Sequence, residues 1–255
     1  MNAAQTPLFA ANWKMFKGPR EAEAFLDAFR SRFEPREDRR VAFFPPSISI
    51  EAFVRAASGR SDLAVGIQDV HQEVEGAHTG AVSAPMAAEA GAIWALAGHS
   101  ERRREFGDDD AIVAAKTARI LAAGLKPIVC IGETLEEREA GGLGAVLNRQ
   151  VRAVLSEVPA GGLTWAYEPV WAIGTGLTAS PADAAEAHAI VRSAIATEAD
   201  PVLAEGAVIL YGGSVKPGNI GELMAAPGVN GVLVGGASLD PESFSKICEV
   251  PLVPR

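Results

Sequence analysis

The sequence predicts an α/β fold, a closed (β/α)8 barrel of eight parallel strands with outer helices. Eight short apolar runs recur over the 255 residues, about 32 residues apart, close to the roughly 30 that one βα unit needs. The runs are almost continuously apolar, as is typical of parallel strands covered by helices. No Pro/Gly/Ser-rich linker separates them, which indicates one sheet in one domain. Eight units favour a barrel, and a doubly wound open sheet is the alternative.

Each predicted strand is recognised by its apolar run. In chain order the runs are PLFAANW, RRVAFFP, DLAVGIQ, AIWALAG, KPIVCIG, LTWAYEP, AVILYGG and NGVLVGG.

Helical segments lie between these runs. Pro19 stands in the first turn of one segment, whose apolar residues recur at helical spacing: Phe25, Leu26, Phe29 and Phe33. The segment 109–124 opens on acids and ends at Gly124, as caps and the helix dipole predict. Ser180 and Pro181 begin a third predicted helix, with Ser180 as its N-cap.

Composition excludes several classes of partner. The chain is 48% hydrophobic and 22% charged, with mean hydropathy +0.13, which is typical of a soluble globular protein. A net charge of -9 and a pI of about 5.0 argue against binding to nucleic acid or to an anionic membrane. Cys130 and Cys248 are too few for a disulfide framework, and both lie among apolar residues.

We expect neither a signal peptide nor a membrane span. The N-terminus lacks the basic and apolar pattern of a signal peptide, and no apolar run approaches the roughly 18 residues of a membrane span. We therefore expect a cytoplasmic protein. We assign residues 1–250 to a single catalytic domain. Residues 251–255 form a tail that ends in LVPR and resembles the remnant of a cleaved tag.

Polar residues follow several strands, where the chemistry of such barrels is located. Each of these residue types, found alone at a strand end, usually has a structural role. A lysine there is usually a solvated charge, a histidine usually forms structural hydrogen bonds, and a glutamate usually caps a helix or pairs with an arginine. Together they supply a base, an acid–base partner and oxyanion donors. The residues are Asn12, Lys14, Gln68, His99 and Glu168.

Side-chain alternation also predicts what lies beneath these groups. Residues two apart face the same side of a strand. We therefore expect Ala10, Ala97 and Ala166 to face the barrel interior and to leave room for a ligand.

Two glycine pairs follow the last two strands, in YGGSVKPGNI and LVGGASLDPESF. We expect each pair to leave a strand and start a helix. Glycines let backbone amides approach a ligand, and a helix N-terminus carries partial positive charge, so phosphate is the expected guest. The chain has neither a Walker loop nor a GxGxxG fingerprint at its first turn. One pair alone is explained by a tight turn, but two in these positions predict a monophosphate site.

These motifs together closely resemble the triosephosphate isomerase family. The resemblance extends over essentially the whole predicted domain, in the order of the family. The matching segments are ANWKM (11–15), AGHSERR (97–103), VCIGETLEEREAG (129–141), YEPVWAIGTG (167–176), YGGSVKPGNI (211–220) and LVGGASL (233–239).

The resemblance implies interconversion of dihydroxyacetone phosphate and glyceraldehyde 3-phosphate through an enediol(ate), without a metal or an organic cofactor. By match, Glu168 is the base, and His99 polarises the carbonyl and moves protons between the oxygens. Lys14 offsets negative charge, Asn12 binds the substrate oxygens, and Glu101 is a supporting acid. The amides expected to bind phosphate are those of Gly174, Ser214, Gly235 and Gly236.

The same resemblance identifies a lid. Its closure excludes water, which leaves the base poorly solvated and strengthens it, and holds the phosphate so that elimination is hindered. Ile173 and Leu233 are the expected apolar wall beside the carboxylate, and a helix that starts after His99 is expected to keep the imidazole neutral. The lid residues are Pro169, Val170, Trp171, Ala172, Ile173, Gly174, Thr175 and Gly176.

Residues 69–84 form a long aperiodic stretch, which is usually functional or a mobile surface loop. In the family this loop enters a pocket of a second subunit, where Thr79 by match supports the neighbouring active site, so a homodimer is expected. A missing Glu at position 81 would face Arg102, so we expect that ion pair to be absent. The departures from the family are Asp69 for Asn, His78 for an aromatic, Ala81 for Glu and, beyond the lid, Leu177 for Lys.

Two other functions fit part of this pattern. One is a barrel lyase that uses Lys14 as a Schiff base, although no second strand-end lysine is present to assist imine chemistry. The other is a phosphometabolite-binding barrel without catalysis, which would have no use for a proton-transferring acid at Glu168.

Overall fold

The computed structural model describes residues 6–173 and 177–252, and within them eight strands close into a barrel. All neighbouring strands are parallel, and the first strand along the chain pairs with both the second and the eighth. This closure confirms the predicted barrel, a TIM barrel, over the open sheet. The strands are β1 (Leu8–Asn12), β2 (Arg40–Phe44), β3 (Leu63–Ile67), β4 (Trp94–Ala97), β5 (Lys126–Ile131), β6 (Thr164–Tyr167), β7 (Val208–Tyr211) and β8 (Gly231–Val234).

Helices surround the barrel and begin where the sequence predicts. Pro19 opens α1, and the Ser180 side chain caps α8 by accepting a hydrogen bond from the amide of Asp183. The helices are α1 (Pro19–Arg30), α2 (Ile50–Ala56), α3 (Ala84–Glu89), α4 (Ser100–Phe106), α5 (Asp110–Ala122), α6 (Leu135–Glu139), α7 (Leu143–Leu155), α8 (Pro181–Glu198), α9 (Pro201–Gly206), α10 (Ile220–Ala225) and α11 (Pro241–Cys248). Short 3₁₀ turns cover Ser47–Ser49, Val170–Ala172 and Gly236–Leu239.

The core has two layers. One fills the barrel, and the other lies between the strands and the helices. Gly66 shows how closely the inner layer is packed, because a Cβ there would lie 2.3 Å from Cε1 of Phe44. The floor beneath the strand ends is therefore solid, and a ligand has room only above it.

The prediction that three alanines face the barrel interior is correct for two of them and wrong for the third. Ala10 and Ala166 belong to the inner layer, whereas Ala97 packs in the outer layer and Leu96 faces inward. The physical reason is Gly98, whose positive φ of 74° interrupts the alternation of the strand. His99 therefore reaches the cavity although Ala97 faces the helices.

In the described part of the chain no helix combines the length and the apolar character that crossing a bilayer requires.

Candidate active site

A cavity of about 280 Å³ opens at the carboxyl ends of the strands. It brings together the predicted polar residues from β1, β4 and β6 and the glycine-rich turns after β7 and β8. The lining residues are Asn12, Lys14, His99, Glu168, Ala172, Ile173, Gly212, Gly213, Ser214, Val215, Lys216, Leu233, Gly235, Gly236 and Ala237.

His99 is the N-cap of α4 and is buried. Its Nδ1 accepts a hydrogen bond from the amide of Glu101 at 3.2 Å. Because an N–H group donates to Nδ1, that nitrogen carries no proton, and the hydrogen of a neutral imidazole is on Nε2. The helix start therefore fixes the tautomer, and Nε2 lies 3.0 Å from Oε1 of Glu168.

Glu168 is buried at the end of β6, with both carboxylate oxygens engaged. Oε1 lies beside His99, and Oε2 accepts a hydrogen bond from the amide of Ser100 at 2.8 Å. The first amide of a helix carries partial positive charge, so it stabilises the carboxylate. The backbone amide of Glu168 donates to the carbonyl of Ile131 at 2.7 Å, which continues the β5–β6 ladder up to the acid.

Two glycines make room for Glu168. A Cβ at Gly132 would lie 1.7 Å from the carbonyl oxygen of Glu168, and one at Gly212 would lie 2.9 Å from its Cγ. Sequence reasoning missed this role, because it assigned Gly212 only to a phosphate turn. The available signal was a glycine directly after a strand on each side of the acid.

Lys14 lies in the cavity in a strained backbone conformation, with φ of 51°. Two side chains hold it there: the Asn12 Oδ1 accepts from the amide of Lys14 at 3.0 Å, and the Gln68 Nε2 donates to its carbonyl at 2.8 Å. Gln68, noted only as a strand-end residue, thus helps to fix the lysine.

Glu101 forms the counter-charge of Lys14, with 2.7 Å between Nζ and Oε1. Burial alone would raise the pKa of Glu101, but the hydrogen bond and charge of Lys14 outweigh it and lower that pKa. The pair is about one-third exposed, so solvent screens it. The predicted supporting acid is therefore ionised and in contact with the lysine.

The opposite end of the cavity is formed by the turns after β7 and β8. Ser214, Gly235 and Gly236, whose amides are predicted to bind phosphate, line it, and Gly174 lies outside the described residues. The expectation that each glycine pair starts a helix is only partly correct. Gly236 begins a 3₁₀ turn, but α10 starts at Ile220, because the intervening residues form a turn closed by Asn219.

The first half of the lid is described, whereas Gly174, Thr175 and Gly176 lie outside the described residues. Val170–Ala172 forms a 3₁₀ turn after Pro169, and Ala172 and Ile173 line the cavity. Ile173 and Leu233 both border the same cavity as Glu168, which agrees with the predicted apolar wall.

Glu133 fastens this turn, a role that the sequence reasoning did not identify. Its Oε1 accepts from the Trp171 indole at 2.8 Å and from the Tyr167 hydroxyl at 3.0 Å, and its carbonyl accepts from the Val170 amide at 3.2 Å. The carboxyl group is fully buried, and burial raises its pKa against the opposing effect of these donors. The available signal was an acid two residues after the end of a strand, in VCIGE.

The loop 69–84 borders a second cavity, of about 670 Å³, which Thr79 and Ala81 line. Ala81 has no carboxylate to offer Arg102, but Asp69 does, with 3.2 Å between its Oδ2 and Nη2 of Arg102. Asp69 also lies 2.8 Å from Nζ of the buried Lys116. The unusual Asp therefore supplies a carboxylate to the arginine within the same chain.

Comparison with known proteins agrees with this geometry. The family model described as triosephosphate isomerase matches residues 7–251. The chain is 48% identical over 245 residues to a triosephosphate isomerase of Oleidesulfovibrio alaskensis, covering 94% of this chain and 98% of the relative. It is 46% identical over 244 residues to that of Chloroflexus aurantiacus (94% and 97%) and 46% identical over 253 residues to that of Rubrobacter xylanophilus (98% of each).

Proposed function

The chain belongs to the triosephosphate isomerase family and is an isomerase, and we propose that it interconverts dihydroxyacetone phosphate and D-glyceraldehyde 3-phosphate in glycolysis and gluconeogenesis. The observation that carries this proposal is the 3.0 Å approach of His99 Nε2 to Glu168 Oε1 in a cavity that ends in glycine-rich turns. An acid and a neutral imidazole in contact suit proton transfer between adjacent carbons and oxygens.

The proposed reaction begins when Glu168 turns from His99 and Ser100 towards the substrate. Its carboxylate takes a proton from the hydroxyl-bearing carbon C1 of dihydroxyacetone phosphate. The electron pair of the broken C–H bond forms the C1–C2 double bond, and the carbonyl π electrons move to O2. His99 Nε2–H donates to O2 and stabilises the enediol(ate). His99 then transfers a proton between the oxygens, and Glu168 returns its proton to C2, which gives the aldehyde.

The remaining groups stabilise charge and exclude water. Lys14 offsets the charge of the phosphate and the enediolate, Asn12 binds substrate oxygens, and Glu101 holds Lys14 in place. The phosphate accepts amide hydrogen bonds from Gly174, Ser214, Gly235 and Gly236. The segment 169–176 closes over the site, which removes water and hinders loss of phosphate. The proposed reaction uses no metal and no organic cofactor.

The test is conversion of glyceraldehyde 3-phosphate by the purified protein and by Glu168→Gln. The substitution keeps shape and removes the base, so turnover falls by roughly two orders of magnitude or more. Glu105→Gln is the charge-matched control and keeps activity, because Glu105 is exposed and its one ion pair within the described part of the chain is with its neighbour Arg104. A covalent adduct trapped by borohydride would instead support the lyase. An inactive parent that the compound still protects from heat would support the binding protein.

We also propose a homodimer. Six large apolar side chains in the segments that follow β1, β2, β3 and β4 are each at least 48% exposed, and exposed apolar surface of this kind supports an interface. These are Met15, Phe16, Ile48, Val74, Met86 and Phe106. The neighbouring loop that carries Thr79 completes the proposed interface.

Sedimentation of the parent and of Met15→Asp tests this interface. Met15 is 94% exposed, so the substitution costs a monomer little, whereas a charge inside an interface dissociates the dimer. A parent that sediments as a monomer would exclude the proposal.

The proposed compartment is the cytoplasm. Cys130 and Cys248 are buried and unpaired, which suits a reducing environment. The proposal treats residues 1–250 as one catalytic domain and residues 251–255 as a tail, and it assigns no nucleic-acid or membrane partner.

A further inference from the structure

The cavity carries one cation that the proposed chemistry does not use, Lys216. It lines the cavity beside Ser214 and Gly236 and is exposed. Among residues 6–173 and 177–252, no acidic side chain forms an ion pair with it. No ion pair within the described residues therefore accounts for a positive charge at this position.

The backbone of Lys216 is held in the same turn as Ser214. The amide of Lys216 donates to Oδ1 of Asn219 at 2.8 Å, and the Asn219 Nδ2 donates to the carbonyl of Ser214 at 3.0 Å. The amides of Asn219 and Ile220 both donate to the carbonyl of Lys216 at 3.1 Å. Because these bonds use only its backbone, the side chain can be replaced without loss of the turn.

The charges around the cavity leave Lys216 as its unbalanced cation. Lys14 is already paired with Glu101 at 2.7 Å, and Glu168 contributes a negative charge. The whole chain has a net charge of -9, so a phosphate dianion is repelled at long range. Lys216 therefore adds a local positive charge, not paired with any acid among the described residues, to the charge that Lys14 contributes once the substrate is bound.

We propose that Lys216 captures and orients the phosphate dianion as it enters the cavity, and so strengthens the preference for a phosphorylated substrate. This role rests on the proposed isomerase function and deepens it. Lys216 acts on association and on phosphate affinity, whereas Glu168 and His99 move the protons.

The expected size of the effect follows from Coulomb's law. A single positive charge near a dianion in water, partly screened by salt, changes association by a factor of about three at low ionic strength. Screening at roughly 0.5 M salt removes most of this factor, because the Debye length is then only a few ångströms.

The experiment compares Lys216→Met with Lys246→Met, which removes the same charge from α11, where Lys246 pairs with Glu242. We expect kcat/KM of Lys216→Met to fall about threefold at low salt and to approach the parent at high salt, with kcat unchanged. Competitive inhibition by inorganic phosphate should weaken in parallel. Lys216→Arg should restore both, and Lys246→Met should behave as the parent.

Two results would overturn the proposal: equal behaviour of the two Met variants, or a fall in kcat that does not depend on salt. These results differ from failure of the isomerase assignment itself, which would appear as an inactive parent.

Discussion

The backbone amide of Ser100 lies 2.8 Å from Oε2 of Glu168. It is the first amide of α4, and the residue before it, His99, contacts the other carboxylate oxygen at 3.0 Å. The proposed base is thus held against its proposed partner by two consecutive residues. Both contacts have to be released before Glu168 reaches a substrate carbon and His99 reaches a substrate oxygen, so they oppose substrate binding.

Ser100→Pro should therefore tighten apparent substrate binding. Proline is well accepted at the first position of a helix, and the extended backbone of His99 (φ -50°, ψ 142°) suits a residue before proline. The ring carbon Cδ of proline takes the place of the amide hydrogen, so the substitution removes the donor and leaves no room for Oε2 of Glu168 at its 2.8 Å position. A hydrogen bond to a charged acceptor is worth about 1.5–3 kcal/mol. We expect KM to fall by about tenfold or more, measured by steady-state kinetics.

Ser100→Ala is the matched control for that variant, since it removes the hydroxyl and keeps the amide. It should retain the KM of the parent. Equal KM values for the Pro and Ala variants would show that the contact between Ser100 and Glu168 does not oppose binding.

Gly212→Ala should disturb catalysis by displacing the base. The new Cβ would lie 2.9 Å from Cγ of Glu168 and 3.1 Å from the carbonyl of Tyr167, so the acid must shift. Displacements of about 1 Å can cost up to roughly a hundredfold in rate, and overpacking costs about 1–3 kcal/mol of stability. Kinetics and urea unfolding measure the two effects.

Gly221→Ala is the control, because a Cβ in that part of α10 meets no atom within 4 Å. It should keep activity and gain up to about 1 kcal/mol of stability. If Gly212→Ala retained full activity, the proposed spacing role of this glycine would be wrong.

The architecture was predictable because it depends on local patterns. Apolar runs at the spacing of a βα unit identified all eight strands, and Pro19 and Ser180 marked helix starts correctly. Ala97 was not predictable in this way, since a rule of strict alternation cannot include the reversal that Gly98 introduces.

The site was predictable only where single residues carry recognisable chemistry. Asn12, Lys14, His99 and Glu168 meet in one cavity, as the strand ends predicted. The contacts of Glu133 with Trp171 and of Asp69 with Arg102 depend on side chains from separate elements meeting in space, which spacing along the chain does not specify.

Asp69 should make stability depend on pH in a specific direction. Burial raises its pKa above the ordinary value of 3.8, and the attraction of Lys116 and Arg102 only partly opposes this. As the pH rises from that value through the raised pKa, the unfolded chain releases a proton that the folded chain retains. The free energy of unfolding of the parent should therefore fall relative to Asp69→Asn over this window. Urea unfolding both below and above pH 3.8 measures the difference.

Asp62→Asn provides a control of opposite sign. The hydrogen bond from Arg60 lowers the pKa of Asp62 despite the effect of burial. The contribution of ionised Asp62 to the free energy of unfolding is therefore present above pH 3.8 and is lost as the pH falls through the lowered pKa. The same pH trend for both variants would contradict the assignment of Asp69.

Trp171→Phe should show whether the contact with Glu133 restrains the lid. The variant keeps an aromatic ring beneath the Arg138 guanidinium but loses the indole donor, which lies 2.8 Å from Glu133 Oε1. Tyr167→Phe removes the other donor to the same oxygen from a strand residue outside the lid. Each variant should lose about 1–2 kcal/mol of stability, a few degrees in Tm for a chain of this size. Because only Trp171 lies on the lid, we expect only Trp171→Phe to change kcat/KM, by severalfold. Equal kinetic effects of the two variants would mean that the Trp171 contact supports the barrel and not the lid.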